Sequence, residues 1–88
     1  MKKINELLEF PKETYSSVPH LIITGFEEMI IENFQGILEY EDFFIRIKTS
    51  LGIVNVHGIN LKLENMTEDD LRIKGKIESI ELERTIDE

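Results

Sequence analysis

The apolar residues of this chain follow one period near the N-terminus and a different period over the rest. In residues 2–9, Ile4, Leu7 and Leu8 are spaced i, i+3, i+4, which places them on one face of a helix. Residues 10–19 then contain both prolines of the chain, a composition typical of an extended linker. The sequence therefore predicts a short helix followed by a linker at the start of the chain.

From His20 onward the apolar residues alternate with polar ones, which is the period of a half-buried β-strand. Turn residues recur every seven to ten positions, so this part of the sequence predicts seven or eight short strands. The apolar runs lie at residues 21–23, 29–31, 37–40, 43–47, 53–56, 61–63, 71–73 and 77–82. In the last run the spacing slips by one residue at Glu78–Ser79, which predicts a β-bulge.

The connections between the predicted strands are short enough for hairpins, so neighbouring strands should be antiparallel. This pattern favours a mostly β fold, a small antiparallel β-sandwich or barrel. The alternative is a β-solenoid, because similar tripeptides ending in glycine recur, at unequal intervals, at residues 23–25, 56–58 and 73–75. The predicted organisation is a short helix and linker over residues 1–19, a single β domain over residues 20–83 and a tail over residues 84–88.

The chain is strongly acidic, with a net charge of −8 and a pI near 4.7. Nucleic-acid binding relies on Lys and Arg to neutralise phosphates, so this balance argues against a nucleic-acid partner. The chain has no cysteine, which excludes disulfides and thiolate metal sites. No apolar stretch is long enough for a signal peptide or a membrane span. We therefore expect no direct membrane span and a protein that stays in the compartment of its synthesis.

Candidate catalytic and metal-binding residues are few. His57 lies at the end of a predicted strand, two residues after Asn55, and would be the general base in an enzymatic interpretation. The serines lack the context of a nucleophile elbow, so no catalytic triad is completed. The acidic residues Glu68–Asp70 follow Thr67 and resemble a capped turn more than a calcium loop. The sequence thus predicts no catalytic residue, no metal site and no cofactor.

The basic residues of the predicted strands point away from the predicted core. They would either form a stripe for an anionic surface or pair across strands with acidic residues, and the acidic net charge favours pairing. The basic residues are Arg46, Lys48, Lys62, Arg72 and Lys74, and the expected partners are Glu64, Glu78 and Glu81.

The aromatic residues are the best candidates for an interaction surface. Five of them fall within 19 residues of each other, namely Phe26, Phe34, Tyr40, Phe43 and Phe44. Adjacent residues on a strand face opposite sides, so only one of Phe43 and Phe44 can enter a single core. Core packing and partner binding both explain this cluster. The predicted partner-binding residues are Phe34, Tyr40 and Phe44, with Arg46 orienting the partner.

Several short segments occur in the order found in a known family. Residues 31–33 read Ile-Glu-Asn, residues 36–40 read Gly-Ile-Leu-Glu-Tyr, and residues 73–81 read Ile-Lys-Gly-Lys-Ile-Glu-Ser-Ile-Glu. With these segments the chain resembles the YabP/YqfC family of sporulation proteins, and its YqfC branch more closely. The resemblance extends over nearly the whole chain, although Phe34 and the Phe43–Phe44 pair stand where we expect more polar residues.

The resemblance implies a protein made in the mother cell during endospore formation, with no enzymatic activity known for the family. Family members tend to be encoded beside integral membrane sporulation proteins, which implies a membrane-protein partner. The leading hypothesis is thus a non-catalytic sporulation protein in the mother-cell cytoplasm, peripheral at the forespore outer membrane. There it would dock on a membrane or coat-assembly partner.

Two alternatives belong to other functional classes. Short β domains with hairpin edges can add strand to strand, so the chain would be a self-assembling homo-oligomer of the spore envelope. An uncharacterised small enzyme would instead need His57 and a carboxylate within hydrogen-bond reach in a concave pocket.

Overall fold

The computed structural model describes residues 18–85, which form one antiparallel sheet of six strands. The strands are β1 (His20–Thr24), β2 (Glu28–Glu32), β3 (Phe34–Glu41), β4 (Phe44–Thr49), β5 (Gly52–Asn65) and β6 (Asp70–Arg84). Their order in the sheet is β1-β2-β6-β5-β4-β3, so β1 and β3 are the two edges. Within residues 18–85 no helix is long and apolar enough to cross a bilayer. The helix predicted for residues 2–9 and most of its linker lie outside the described residues.

The prediction of a mostly β, antiparallel fold is confirmed, but the number of strands and their arrangement differ. The predicted strands at residues 53–56 and 61–63 are two parts of β5, and those at residues 71–73 and 77–82 are two parts of β6. Gly58 lies inside the continuous strand β5, and Gly75 lies inside the continuous strand β6. The described residues therefore form one open sheet in place of the predicted sandwich, barrel or solenoid.

Two irregularities interrupt the pairing of β5 with β6. His57 is opposite Ser79 and Gly58 is opposite Ile77, so Glu78 has no partner of its own on β5. This confirms the bulge predicted at Glu78–Ser79. The second irregularity lies between Ile59 and Lys62 of β5.

One face of the sheet carries the hydrophobic core. Nine apolar side chains are at most 4% exposed, and they come from four strands: Met29, Ile31, Ile45, Ile47, Val54, Val56, Leu61, Leu71 and Ile73. A flat single sheet would leave this face to water, so another layer must cover it. The sheet itself provides that layer, since the Tyr40 hydroxyl of edge strand β3 accepts a hydrogen bond from Leu63 N at 3.1 Å. β3 pairs only with β4, so the sheet must bend for this contact to form.

The turn between β5 and β6 has the hydrogen bonds expected from its sequence. Thr67 Oγ1 accepts from the backbone N–H of Asp69 at 3.2 Å and from that of Asp70 at 3.1 Å. The same hydroxyl donates to Asp70 Oδ2 at 3.0 Å. The predicted capped turn is therefore confirmed, and its acidic residues serve a local structural role.

Candidate interaction surface

The β1–β2 turn and the β3–β4 turn are hydrogen-bonded to the long strands β5 and β6, close to the register shifts between those two strands. In the β1–β2 turn, the Phe26 carbonyl accepts from Ile77 N at 2.8 Å and the Glu27 carbonyl accepts from Gly75 N at 3.2 Å. In the β3–β4 turn, the Phe43 carbonyl accepts from Gly58 N at 3.1 Å. The Asp42 carbonyl of that turn accepts from Leu61 N at 2.7 Å. Each turn is therefore held by two backbone hydrogen bonds, which restrict its motion.

The backbones of β5 and β6 approach each other closely beside the two turns, and two glycines make this approach possible. A Cβ on Gly58 would overlap the carbonyl oxygen of Lys76, which lies on the neighbouring strand. Gly75 has φ of 135°, which side-chain-bearing residues rarely adopt. On the opposite strand, Asn60 has φ of 54°. Short side chains and left-handed backbone thus let β5 and β6 bend where the two turns join them.

Both turns present a phenylalanine to solvent. The side chain of Phe26 is 79% exposed and that of Phe43 is 59% exposed. Hydrogen bonds and pairing place the backbones of Phe26, Ile77, Gly58 and Phe43 in one row across the sheet. With strands about 4.8 Å apart, the two aromatic residues are on the order of 15 Å from each other. We call Phe26 and Phe43, with their two turns, the bend surface.

Each of the two phenylalanines has an acidic neighbour in the chain. Glu27 follows Phe26 and Asp42 precedes Phe43, and both acids are exposed. Among residues 18–85 neither carboxylate takes part in a salt bridge. The bend surface therefore combines exposed aromatic rings with carboxylates that are available to a basic group of a partner.

Two of the predicted partner-binding residues, Phe34 and Tyr40, lie on the core side of β3. Phe34 is opposite buried Thr49 and packs against the core, so the expectation of core packing holds for this residue. Tyr40 is opposite buried Ile45, and its hydroxyl makes the hydrogen bond to Leu63 described above. Both residues thus support the bent sheet.

The other two, Phe44 and Arg46, lie on the opposite side of the sheet. The Phe44 ring is half-buried against His57, with ring centroids 4.7 Å apart. Arg46 Nε donates to Oδ1 of buried Asn55 at 3.1 Å. The four predicted residues therefore do not share one face, and partner binding by each of them stays a prediction.

Two of the five basic residues, Arg46 and Arg72, pair across strands with acidic residues, as expected from the sequence. The three lysines, Lys48, Lys62 and Lys74, form no salt bridge among residues 18–85. Arg72 lies 3.5 Å from Glu64, which was a predicted partner, and its Nε lies 3.3 Å from Glu28. The geometry of the second contact is not that of a hydrogen bond, so it is an ion pair by distance alone. Arg46 pairs with Glu39 at 3.9 Å and with Glu83 at 3.7 Å, whereas Glu78 and Glu81 were predicted.

Phe26 and Phe43 belong to the aromatic cluster of the sequence, but neither is a predicted partner-binding residue, because the sequence does not show which aromatic side chains are exposed. A local signal was nevertheless present. Phe26 follows Gly25 in a turn and Phe43 follows two acidic residues, Glu41 and Asp42, in another turn. Large apolar residues are unusual at such positions, and a search for aromatic residues in turns would have found both.

Comparison with known proteins identifies the family. The model of the YabP family matches residues 16–88. The chain belongs to the YabP family. This confirms the resemblance to YabP/YqfC proteins and makes the chain a sporulation-related protein. No curated protein and no solved structure matches the chain.

The segment that carries much of the resemblance to the YabP family also forms the bend. Residues 73–81 include Gly75, which approaches Asn60, and Glu78, which is the bulged residue of β6. A second segment, residues 31–33, ends in Asn33 with φ of 64°. Its side-chain Nδ2 donates to the Val18 carbonyl at 2.8 Å and fixes the entry of the chain into the sheet. The segment at residues 73–81 thus shapes the backbone beside Phe26, whereas the segment at residues 31–33 fixes the start of the sheet.

Proposed function

We propose that this YabP-family chain is a non-catalytic sporulation protein that docks on a protein partner through the bend surface. The observation that carries the proposal is the exposure of Phe26 and Phe43 on turns fixed by backbone hydrogen bonds. A small number of aromatic anchors commonly supplies most of the energy of a protein interface.

The geometry favours binding because the two anchors are already in place. A rigid turn loses little conformational entropy when a partner covers it, so more of the contact energy appears as affinity. Burial of a phenylalanine side chain contributes about 1.5–3 kcal/mol, and most of the surface of Phe26 is available for it. The anchors are separated along the row by Ile77 and Gly58. A partner with two apolar pockets at that separation would engage both.

The flanking carboxylates indicate the chemistry of the partner. Glu27 and Asp42 favour apolar pockets that have Lys or Arg at their rims. A net charge of −8 disfavours direct contact with anionic lipid headgroups, so a protein is favoured over the bilayer itself. An integral membrane sporulation protein or a coat-assembly protein at the forespore surface, reached from the mother-cell cytoplasm, fits this description.

The first prediction tests the bend surface in sporulating cells. A fluorescent fusion of the native chain should form a ring or cap around the forespore. The double substitution F26A/F43A should make the signal diffuse in the mother cell, because both anchors are lost. Capture of membrane proteins by the tagged chain should fall in parallel.

A matched control distinguishes docking from folding and from general loss of apolar surface. Leu82 is 66% exposed and lies outside the bend surface, so L82S should keep the native localisation. Circular dichroism and urea unfolding of F26A/F43A should show a folded sheet. A ring that persists in the folded double variant contradicts the proposed surface, and a diffuse signal for the native chain contradicts docking at the forespore.

A further inference from the structure

The two edges of the sheet differ in how well they are protected against pairing with another strand. Edge strand β3 has register shifts between Phe34 and Gly36 and between Ile37 and Glu39. It also carries exposed acids, including Glu39 and Glu41. Bulges and like charges are the usual means by which proteins prevent edge-to-edge pairing.

Edge strand β1 has neither form of protection. Its five residues, His-Leu-Ile-Ile-Thr, pair with β2 in unbroken register. The strand contains no Lys, Arg, Asp, Glu or Pro. Among the described residues no strand pairs with its outer edge, so a row of backbone N–H and C=O groups lies there. Ile22 is 44% exposed and Ile23 is 50% exposed, so apolar surface accompanies these groups.

We propose that two copies of this chain associate through β1, with the two strands antiparallel about a two-fold axis at Ile22. The two six-stranded sheets would then continue into one another across the interface. The occupant is a second copy because the strand is complementary to itself in this register. A strand that pairs with itself must avoid placing like charges opposite each other.

The register can be followed residue by residue. Ile22 of one copy would be opposite Ile22 of the other, and Leu21 would be opposite Ile23, so apolar side chains meet on both faces. His20, the only titratable residue of β1, would be opposite Thr24. Antiparallel pairing of β3 with β3 of a second copy would bring two acidic, bulged strands together. Repulsion between their carboxylates would make that dimer unfavourable. Pro19 precedes the strand and lacks the N–H that would extend the pairing.

The size of the interface indicates how strong the association is. Five residues per strand form a short interface, and isolated hairpin-sized contacts are weak in water. We therefore expect a reversible dimer with a Kd on the order of 100 micromolar. The turn that carries Phe26 begins directly after β1, but Phe26 is not part of the strand that pairs, and Phe43 lies on the separate β3–β4 turn. The dimer therefore does not depend on the proposed docking.

The second prediction is tested by sedimentation equilibrium of the full chain from micromolar to millimolar concentration. The mass should rise from that of the 10.3 kDa chain to twice that value. I22K would place two ammonium groups opposite each other at the axis and remove apolar contact. It should raise Kd by about tenfold or more. I23K should also raise Kd, because Ile23 contributes apolar contact on the opposite face of β1 from Ile22.

Matched controls keep the test decisive. Leu38 lies on edge strand β3 and is 49% exposed, so L38K introduces the same charge at the other edge and should leave Kd unchanged. F43A, on the β3–β4 turn, should also leave Kd unchanged. Circular dichroism must show that I22K is folded. A native chain that stays monomeric at millimolar concentration overturns the proposal, as does a dimer that L38K weakens and I22K does not.

Discussion

At the scale of single residues, the bend depends on small side chains at particular places. Gly58 and Gly36 are both strand glycines without positive φ, but their surroundings differ. A Cβ at Gly58 would overlap the Lys76 carbonyl, whereas a Cβ at Gly36 would have no atom within 4 Å. From the sequence alone these two glycines are indistinguishable, since the difference lies in a contact between strands.

This comparison gives the third prediction. G58A should lower the free energy of unfolding by about 1–3 kcal/mol, because backbone must move to admit the methyl group. G36A should change it by less than about 0.5 kcal/mol or raise it slightly, since alanine restricts the unfolded chain. Urea unfolding followed by circular dichroism measures both. Equal effects of the two substitutions would contradict the close packing at Gly58.

At the scale of elements, Arg46 of β4 links several strands on the outer face. Its guanidinium contacts Asn55 of β5, Glu39 of β3 and Glu83 of β6. Asn55 is only 3% exposed, whereas the two carboxylates are about half exposed. The hydrogen bond to Asn55 should therefore contribute more than the ion pairs, because exposed pairs are screened by solvent.

The fourth prediction follows from this difference. R46M keeps the apolar stem but leaves the Asn55 oxygen buried without its donor, so it should destabilise by about 1–3 kcal/mol. E39Q and E83Q should each cost less than about 1 kcal/mol. The measurement is urea unfolding at low and high sodium chloride. If E39Q or E83Q lowers the free energy of unfolding as much as R46M does, the ion pairs contribute more to stability than the hydrogen bond to Asn55.

At the scale of the whole molecule, the excess of negative charge is one contribution that opposes folding. The chain has 18 acidic and 10 basic residues, so repulsion among carboxylates opposes compaction. The ion pairs of Arg46 and Arg72 relieve part of it on the outer face. Glu68 is exposed in the turn before β6 and forms no salt bridge among the described residues.

The fifth prediction concerns screening of this repulsion. Raising sodium chloride from low to physiological concentration should increase the free energy of unfolding, because the Debye length then falls to about 8 Å. E68K changes the net charge from −8 to −6 and should stabilise the chain by a few tenths of a kcal/mol at low salt. The gain should shrink at high salt. A native chain that loses stability as salt rises would mean that attractive pairs outweigh the repulsion.

The sequence by itself determined the features that depend on near neighbours. The alternation from His20 onward predicts strands, the slip at Glu78–Ser79 predicts the bulge, and Thr67 with Asp70 predicts the capped turn. The structure contains all three. The segments at residues 31–33, 36–40 and 73–81 were also sufficient to indicate the family. Such features are readable because side-chain period and turn hydrogen bonds act over a few residues.

Only the tertiary structure decided which strands are continuous and which aromatic residues face solvent. Gly58 and Gly75 read as turns in the sequence, but pairing of β5 with β6 carries both strands through them. Phe34 packs against the core from edge strand β3, whereas Phe26 is left exposed in the β1–β2 turn, and this difference depends on strand pairing. Pairing of β2 with β6 joins residues about forty positions apart, a distance over which local periodicity carries no information.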